Sequence, residues 1–355
     1  MMPAHIWWEQ IGGSIRFIDE VVKAMEDEHS LILQVPHGLP WKEQFYSCVD
    51  IRASAFASDR QLRRFQWKSH EDPGTFILNN MCPKNIQVNY FPGQSLAAYL
   101  GSIEDLVLCD CYVWISDITD WNDIHKWADF ICAYNEAASV LQRKAVFIIE
   151  ECSEINNARK LDTVPFKIEE YNCKVFCLEY ASALHNTRVP LYQAELAQAL
   201  GGRNPELSAQ LLNTGEELLE EPMIVVETVL NKARDSQGAA FKLAGKVALE
   251  SSICKANMMT LYPILEQVRI SCVAQHEDQL RKFLPIKNSN GETITEPFDL
   301  ELGGLNYIMS YTPNLFNHDE AEQLRVCREV RNVIAHNRPV PFDDVARVLS
   351  YSTDL

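Results

Sequence analysis

The chain has 355 residues, 47% of them hydrophobic and 23% charged. That is globular composition, and it excludes a largely disordered chain, a collagen-like chain and a coiled-coil rod. The formal net charge is −17, from 32 basic and 49 acidic residues, yet residues 241–355 hold 12 of the basic and 15 of the acidic ones. The acidity therefore belongs mostly to the first two-thirds; a surface that negative repels polyphosphates at long range, so any nucleic-acid contact must come from a local site.

No apolar run approaches the ~20 residues that span a bilayer, which predicts no membrane association. Residues 1–10 lack the basic and apolar regions of a secretory signal, so the expected location is cytoplasmic. The eleven cysteines show no CxxC pair and no zinc spacing, and they read as small core side chains in a reducing compartment. No metal and no resident cofactor is expected.

In chain order, helical spacing of Ile15, Ile18, Val22 and Met25 predicts a helix over 7–25, with Ser14 as its N-cap. SLILQV (30–35) reads as a buried strand, broken by PHGLP (36–40) before a helix from Trp41 to about Ile51. TFIL (75–78) reads as a short strand, and 105–116 as a longer one. Ile124, Trp127, Ala128, Ile131, Tyr134 and Ala138 line one face of a helix over 120–141, for which Asp120 is a cap. KAVFIIEE (144–151) and CKVFCLEY (173–180) read as further buried strands. Strands alternating with helices predict an α/β domain with a mainly parallel sheet over 1–188.

Beyond it the strand signals fade. Helices are expected over 191–202, 204–212, 215–234 and 241–284, the last kinked at Pro263. A polar turn (287–297), a mixed segment broken at Gly303-Gly304, and helices over 318–337 and 342–350 follow. The organisation expected is a helical linker at 189–239 and an all-α bundle at 240–355.

SLILQVPHGLPWKEQF resembles the strand–loop–helix start of a P-loop NTPase fold, and Glu150 and Glu151 end a strand as Walker B acids do. The motif is degenerate. Gly38 and Lys42 remain as candidate nucleotide contacts, with Glu150 and Glu151, but Pro36 and Pro40 each remove an N–H that a phosphate cradle would use. ATP hydrolysis is not expected. RQLRRFQWK (60–68) reads as a solvated helix face with inward aromatics, or as a nucleic-acid contact with Phe65 and Trp67 stacking. Asp110, Asp117 and Asp123 join Asp120 around a strand-to-helix junction.

The sharpest local pattern is RVCREVRNVIAHNRP (325–339). Leu324, Cys327, Val330 and Ile334 form an apolar stripe, while Arg328, Asn332 and His336 stack at i, i+4 and i+8. Pro339 stops the helix. RNVIAH (331–336) matches the R-x4-H motif, and the last 110 or so residues resemble a HEPN domain. The resemblance implies a dimeric all-α bundle whose active members are metal-independent ribonucleases of prokaryotic toxin and antiviral defence systems. It implies His336 as general acid or base, Arg331 on the scissile phosphate and Asn332 as an orienting residue. Arg325, Arg328 and Arg338 are the expected RNA contacts, and the α/β domain the expected regulator. The alternative is a non-catalytic adaptor that dimerises through this bundle and assembles with a separate defence enzyme.

Overall fold

The computed structural model describes residues 2–56, 59–68, 71–103, 106–139, 143–152, 160–242, 245–287, 291–312 and 314–352. They form two compact units, Met2–Asn172 with Asp235–Gln237, and Cys173–Arg234 with Gly238–Leu355. No described helix is long and apolar enough to cross a membrane.

The first unit contains α1 (Pro3–Glu9), α2 (Gly12–Glu26), β1 (Leu31–Gln34), α3 (Lys42–Phe56), β2 (Gln61–Gln66), α4 (Pro73–Met81), α5 (Lys84–Asn89), α6 (Leu96–Gly101), β3 (Cys111–Ile118), α7 (Trp121–Ala137), β4 (Val146–Glu151) and β5 (Asp162–Pro165). The five strands run parallel in the order β2-β3-β4-β1-β5. A parallel sheet is stable only with both faces covered, and the pleat divides the side chains accordingly. Val113, Ile115, Phe147 and Ile149 pack with Ile77, Trp127 and Ile131 on one side. Trp114 and Glu150 alternate to the other side, where they meet Phe45 and Tyr46 of α3.

Several expectations are corrected here. TFIL (75–78) lies in α4, because Asp72 accepts from the Thr75 N–H and Pro73 pre-forms the first turn, signals that outweigh a four-residue apolar run. Residues 61–66 are strand β2 and not a helix. Its aromatics do turn inward: Trp67 is buried and donates to Asp123 at 2.8 Å. CKVFCLEY belongs to α8 (Glu170–Leu184), whose buried Cys173, Phe176, Cys177, Tyr180 and Ala181 keep helical spacing. The fifth strand is instead DTVP, an edge strand with no apolar run to announce it. Ile11, not Ser14, occupies the N-cap position of α2, and no side chain caps that end. Asp120 caps α7 by accepting from the Asn122 N–H at 2.9 Å. The expected helix end at Leu141 lies outside the described residues, as does Asp105 of the 105–116 run.

The second unit continues through α9 (Pro190–Gly201), α10 (Pro205–Leu212), α11 (Glu216–Glu220), α12 (Pro222–Lys232), α13 (Lys246–Gln275), α14 (Glu277–Leu280), the hairpin of β6 (Ile286–Lys287) and β7 (Thr293–Ile294), α15 (Leu302–Tyr311), α16 (His318–Ala335) and α17 (Phe342–Leu349). Pro222 splits the helix expected over 215–234, and Pro263 sits inside α13 without ending it. Gly303 and Gly304 form no break. They lie in the first turn of α15, where buried Leu302, Leu305 and Ile308 outweigh the poor helix propensity of glycine. Asn306 ties α15 to α16, donating to the carbonyls of Leu302 and Leu324 at 2.9 and 3.1 Å.

Helix α16 carries the expected stripe: Leu324, Cys327, Val330 and Ile334 are buried, facing α13, α15 and α17. Its start is a capping box, in which Asn317 accepts from the Glu320 N–H and Glu320 from the Asn317 N–H, both at 2.9 Å. Asn317→Ala is expected to cost about 1 kcal/mol, read as a lower urea midpoint with unchanged m. All eleven cysteines are free, and all but Cys132 and Cys152 are buried. Burial pushes the thiols of Cys272 and Cys327 up to about 12, which keeps them protonated and inert at neutral pH.

Candidate functional site

Two places hold the residues singled out by sequence. The first lies at the carboxyl end of the parallel sheet. β1 runs into residues 35–41, where Gly38 adopts φ +71°. A Cβ at Gly38 would lie 3.9 Å from the Asp235 carboxylate. The neighbouring carbonyls are held within the unit: Leu39 O accepts from Gln237 Nε2 at 3.0 Å and Pro40 O from Trp8 Nε1 at 2.8 Å.

Lys42 opens α3, and its Nζ lies 2.6 Å from Glu150 Oε1 and 2.7 Å from Asp117 Oδ1. A register shift in β3 between Ile115 and Ile118 and a left-handed backbone at Asp117 (φ +63°) present that carboxylate. Glu150 is 1% exposed and also accepts from Tyr46 Oη at 2.7 Å and Trp114 Nε1 at 3.2 Å. Burial opposes the charge on Lys42, but Glu150 and then Asp117 outweigh it and raise its pKa. Burial, then Glu150, pushes the Tyr46 phenol up, so it stays a hydrogen-bond donor.

Asp117, Glu150 and Cys152 offer ligand atoms within 4.8 Å of one another. Two of these groups already hold the Lys42 ammonium, and burial together with Glu150 pushes the Cys152 thiol to about 11. Glu151 is fully buried one residue further along β4, where alternation turns it to the opposite side from Glu150. The structure thus gathers Lys42 and Glu150 in one cluster and leaves Gly38 and Glu151 out of it. Asp117 is the member whose partnership no local pattern announces, since 75 residues separate it from Lys42.

The second place is the end of α16. Asn337 takes φ +51°, its N–H bonds to Ile334 O at 2.9 Å, and the Arg338 N–H bonds to Val333 O at 3.2 Å. This pair of bonds is a Schellman cap, with asparagine tolerating the left-handed position and Pro339 stopping the helix. His336 is the C-cap residue and is exposed, its N–H bonded to Asn332 O at 3.2 Å.

Arg328, Arg331 and Asn332 line a groove of about 590 Å³ between α16, α15 and the β6–β7 hairpin, together with Lys287 and Tyr307. Gly303 and Gly304 also line it, and they add no side chain to its wall. Arg331 Nη2 lies 3.4 Å from Glu301 Oε2, with the carboxylate 75% exposed, a loose surface pair worth little. Of the expected RNA contacts, only Arg328 reaches the groove. Arg325 pairs with Glu322, which also holds Arg347 at 2.7 Å, and exposed Arg338 lies beyond the cap. His336 does not line the groove either.

A larger hollow of about 800 Å³ lies elsewhere in the helical unit, lined mostly by apolar side chains such as Leu178, Tyr192, Ile264 and Phe342. Its charged neighbours are already paired, Arg188 with Glu216 at 3.5 Å and Glu195 with Lys174 at 2.6 Å. It offers no constellation for acid–base chemistry.

No family model matches the chain, and no curated protein matches it significantly. Among solved structures, a RuvB point mutant from Thermotoga maritima is similar at 11% identity and a TM-score of 0.36, over 71% of this chain and 78% of that one. A likeness of that strength assigns neither fold family nor function.

Proposed function

We propose that the helical unit is a metal-independent endoribonuclease of HEPN type, acting in a prokaryotic toxin or antiviral defence system under control of the α/β unit. The α/β unit is a P-loop-like scaffold that has lost its nucleotide site. One observation supports the reading: α16 packs its apolar stripe inward and keeps Arg328, Arg331, Asn332 and His336 accessible on its last turns, ended by a rigid cap.

RNA carries its own nucleophile in the 2′-OH. His336 takes the proton as the 2′-oxygen bonds to phosphorus, and Arg331 stabilises the charge on the phosphoryl oxygens. The P–O5′ bond then breaks, a proton passes to the leaving oxygen, and a 2′,3′-cyclic phosphate remains. Since His336 lies outside the groove that Arg331 lines, the reading requires two copies, with the imidazole of one chain meeting the groove of the other.

That same separation favours a second reading, a non-catalytic adaptor that dimerises through the helical unit and assembles with a separate enzyme. Purified protein incubated with labelled RNA in a chelating buffer decides between them. Cleavage with cyclic phosphate ends, lost in Arg331→Ala and His336→Ala, supports the ribonuclease; intact RNA with every form supports the adaptor.

A further inference from the structure

Beside the guanidinium groups of the groove stands an aromatic pair with no packing duty. Tyr307 is 56% exposed and Tyr311 74%, and their rings meet edge to face with centroids 4.9 Å apart. Tyr307 lines the groove with Lys287, Arg328 and Arg331. The interior of α15 is filled by other residues, namely Leu302, Leu305, Asn306 and Ile308. The two tyrosines, one helical turn apart, are therefore free to present a face to a ligand.

We propose that Tyr307, backed by Tyr311, is a base-stacking subsite that selects single-stranded RNA. The inference rests on the ribonuclease reading and names the substrate class of the same groove. The three cations fix the backbone by its phosphates, and a base splayed from the strand stacks on the Tyr307 ring. A duplex keeps its bases paired and its faces covered, so it offers phosphates to the cations but nothing to the ring. The charge of the groove itself works in the same direction. Glu301 lines it beside Lys287, Arg328 and Arg331 and pairs with Arg331, so few cations are left to hold RNA by charge alone and affinity needs a contact that salt does not screen.

The test is fluorescence anisotropy with the full chain carrying His336→Ala to prevent cleavage. The probes are a labelled single strand of about 12 nucleotides, within the usual site sizes, and its duplex. The single strand is expected to bind more tightly than the duplex. Tyr307→Leu should weaken single-strand binding roughly 5- to 100-fold with an unchanged salt slope, and Tyr307→Phe should retain it. Arg328→Ala should instead reduce the salt slope by about one phosphate contact. If Tyr307→Leu binds like its parent, or the duplex binds as well as the strand, the stacking subsite is overturned while the ribonuclease reading stands. If neither probe binds, both are overturned. Tyr307 is surface-exposed, and matching circular dichroism spectra confirm that the variants fold.

Discussion

Lys42→Met is expected to destabilise the α/β unit by about 3–5 kcal/mol, because it leaves the Glu150 carboxylate buried without its ammonium. For a unit of this size that is a fall in Tm of roughly 6–20 °C. The cost comes from the stranded charge more than from the lost attraction, so Lys42→Met combined with Glu150→Gln should recover most of the loss. A neutral amide still accepts from Tyr46 and Trp114, and the double-mutant cycle measures the coupling.

The sign of the pH dependence follows from the raised pKa of Lys42. Its stabilisation is fully present below the ordinary value of 10.5 and is lost only as pH rises through the higher folded value. The difference between wild type and Lys42→Met should thus stay level from neutral to mildly alkaline pH and shrink in strong base. The alternative role for this lysine, gripping a nucleotide, predicts something else. Mg-ATP would then raise the wild-type Tm by mass action. The expected result is no shift.

His336→Ala should lower single-turnover cleavage by about 10²–10⁴-fold, the usual worth of a positioned acid–base group. Arg331→Ala should fall in a similar range through loss of charge stabilisation on the phosphoryl oxygens. The two effects should be far from additive, since both residues act in one transition state. The dimeric arrangement adds a sharper outcome. Mixing inactive Arg331→Ala and His336→Ala chains should restore part of the activity, because one composite site of each mixed pair pairs an intact arginine with an intact histidine. Recovery requires subunit exchange, verified by mass. A mixture that exchanges and stays inactive would show that both residues act from the same chain.

What could be read from sequence follows the range of the interactions involved. The stripe of α16, the face of α7 and the Asp120 cap depend on residues within a few turns, and each is written in local spacing. β4 was visible as a continuous apolar run because both of its faces are buried. β5 was not, because a short edge strand needs little apolar side chain and borrows its hydrogen bonds from β1. The apolar run at 173–180 misled for the opposite reason: eight residues of a buried helix look like a strand when the alternation is short. The fate of Lys42 was illegible for a further reason. Its partners come from the ends of two other strands, and only the parallel pairing brings them to one point.

The Schellman cap turns the tail of α16 into a ruler. Each residue of an ideal helix advances ~1.5 Å and rotates by ~100°, and the left-handed turn at Asn337 fixes where that count ends. One alanine inserted between Asn332 and Ala335 would leave every side chain chemically intact and the cap intact. It would rotate the imidazole by about 100° about the helix axis relative to the residues before the insertion, and so turn it off the direction in which it meets the groove of the second copy. Activity should then depend on the number of residues between Arg331 and His336, and not only on their identity.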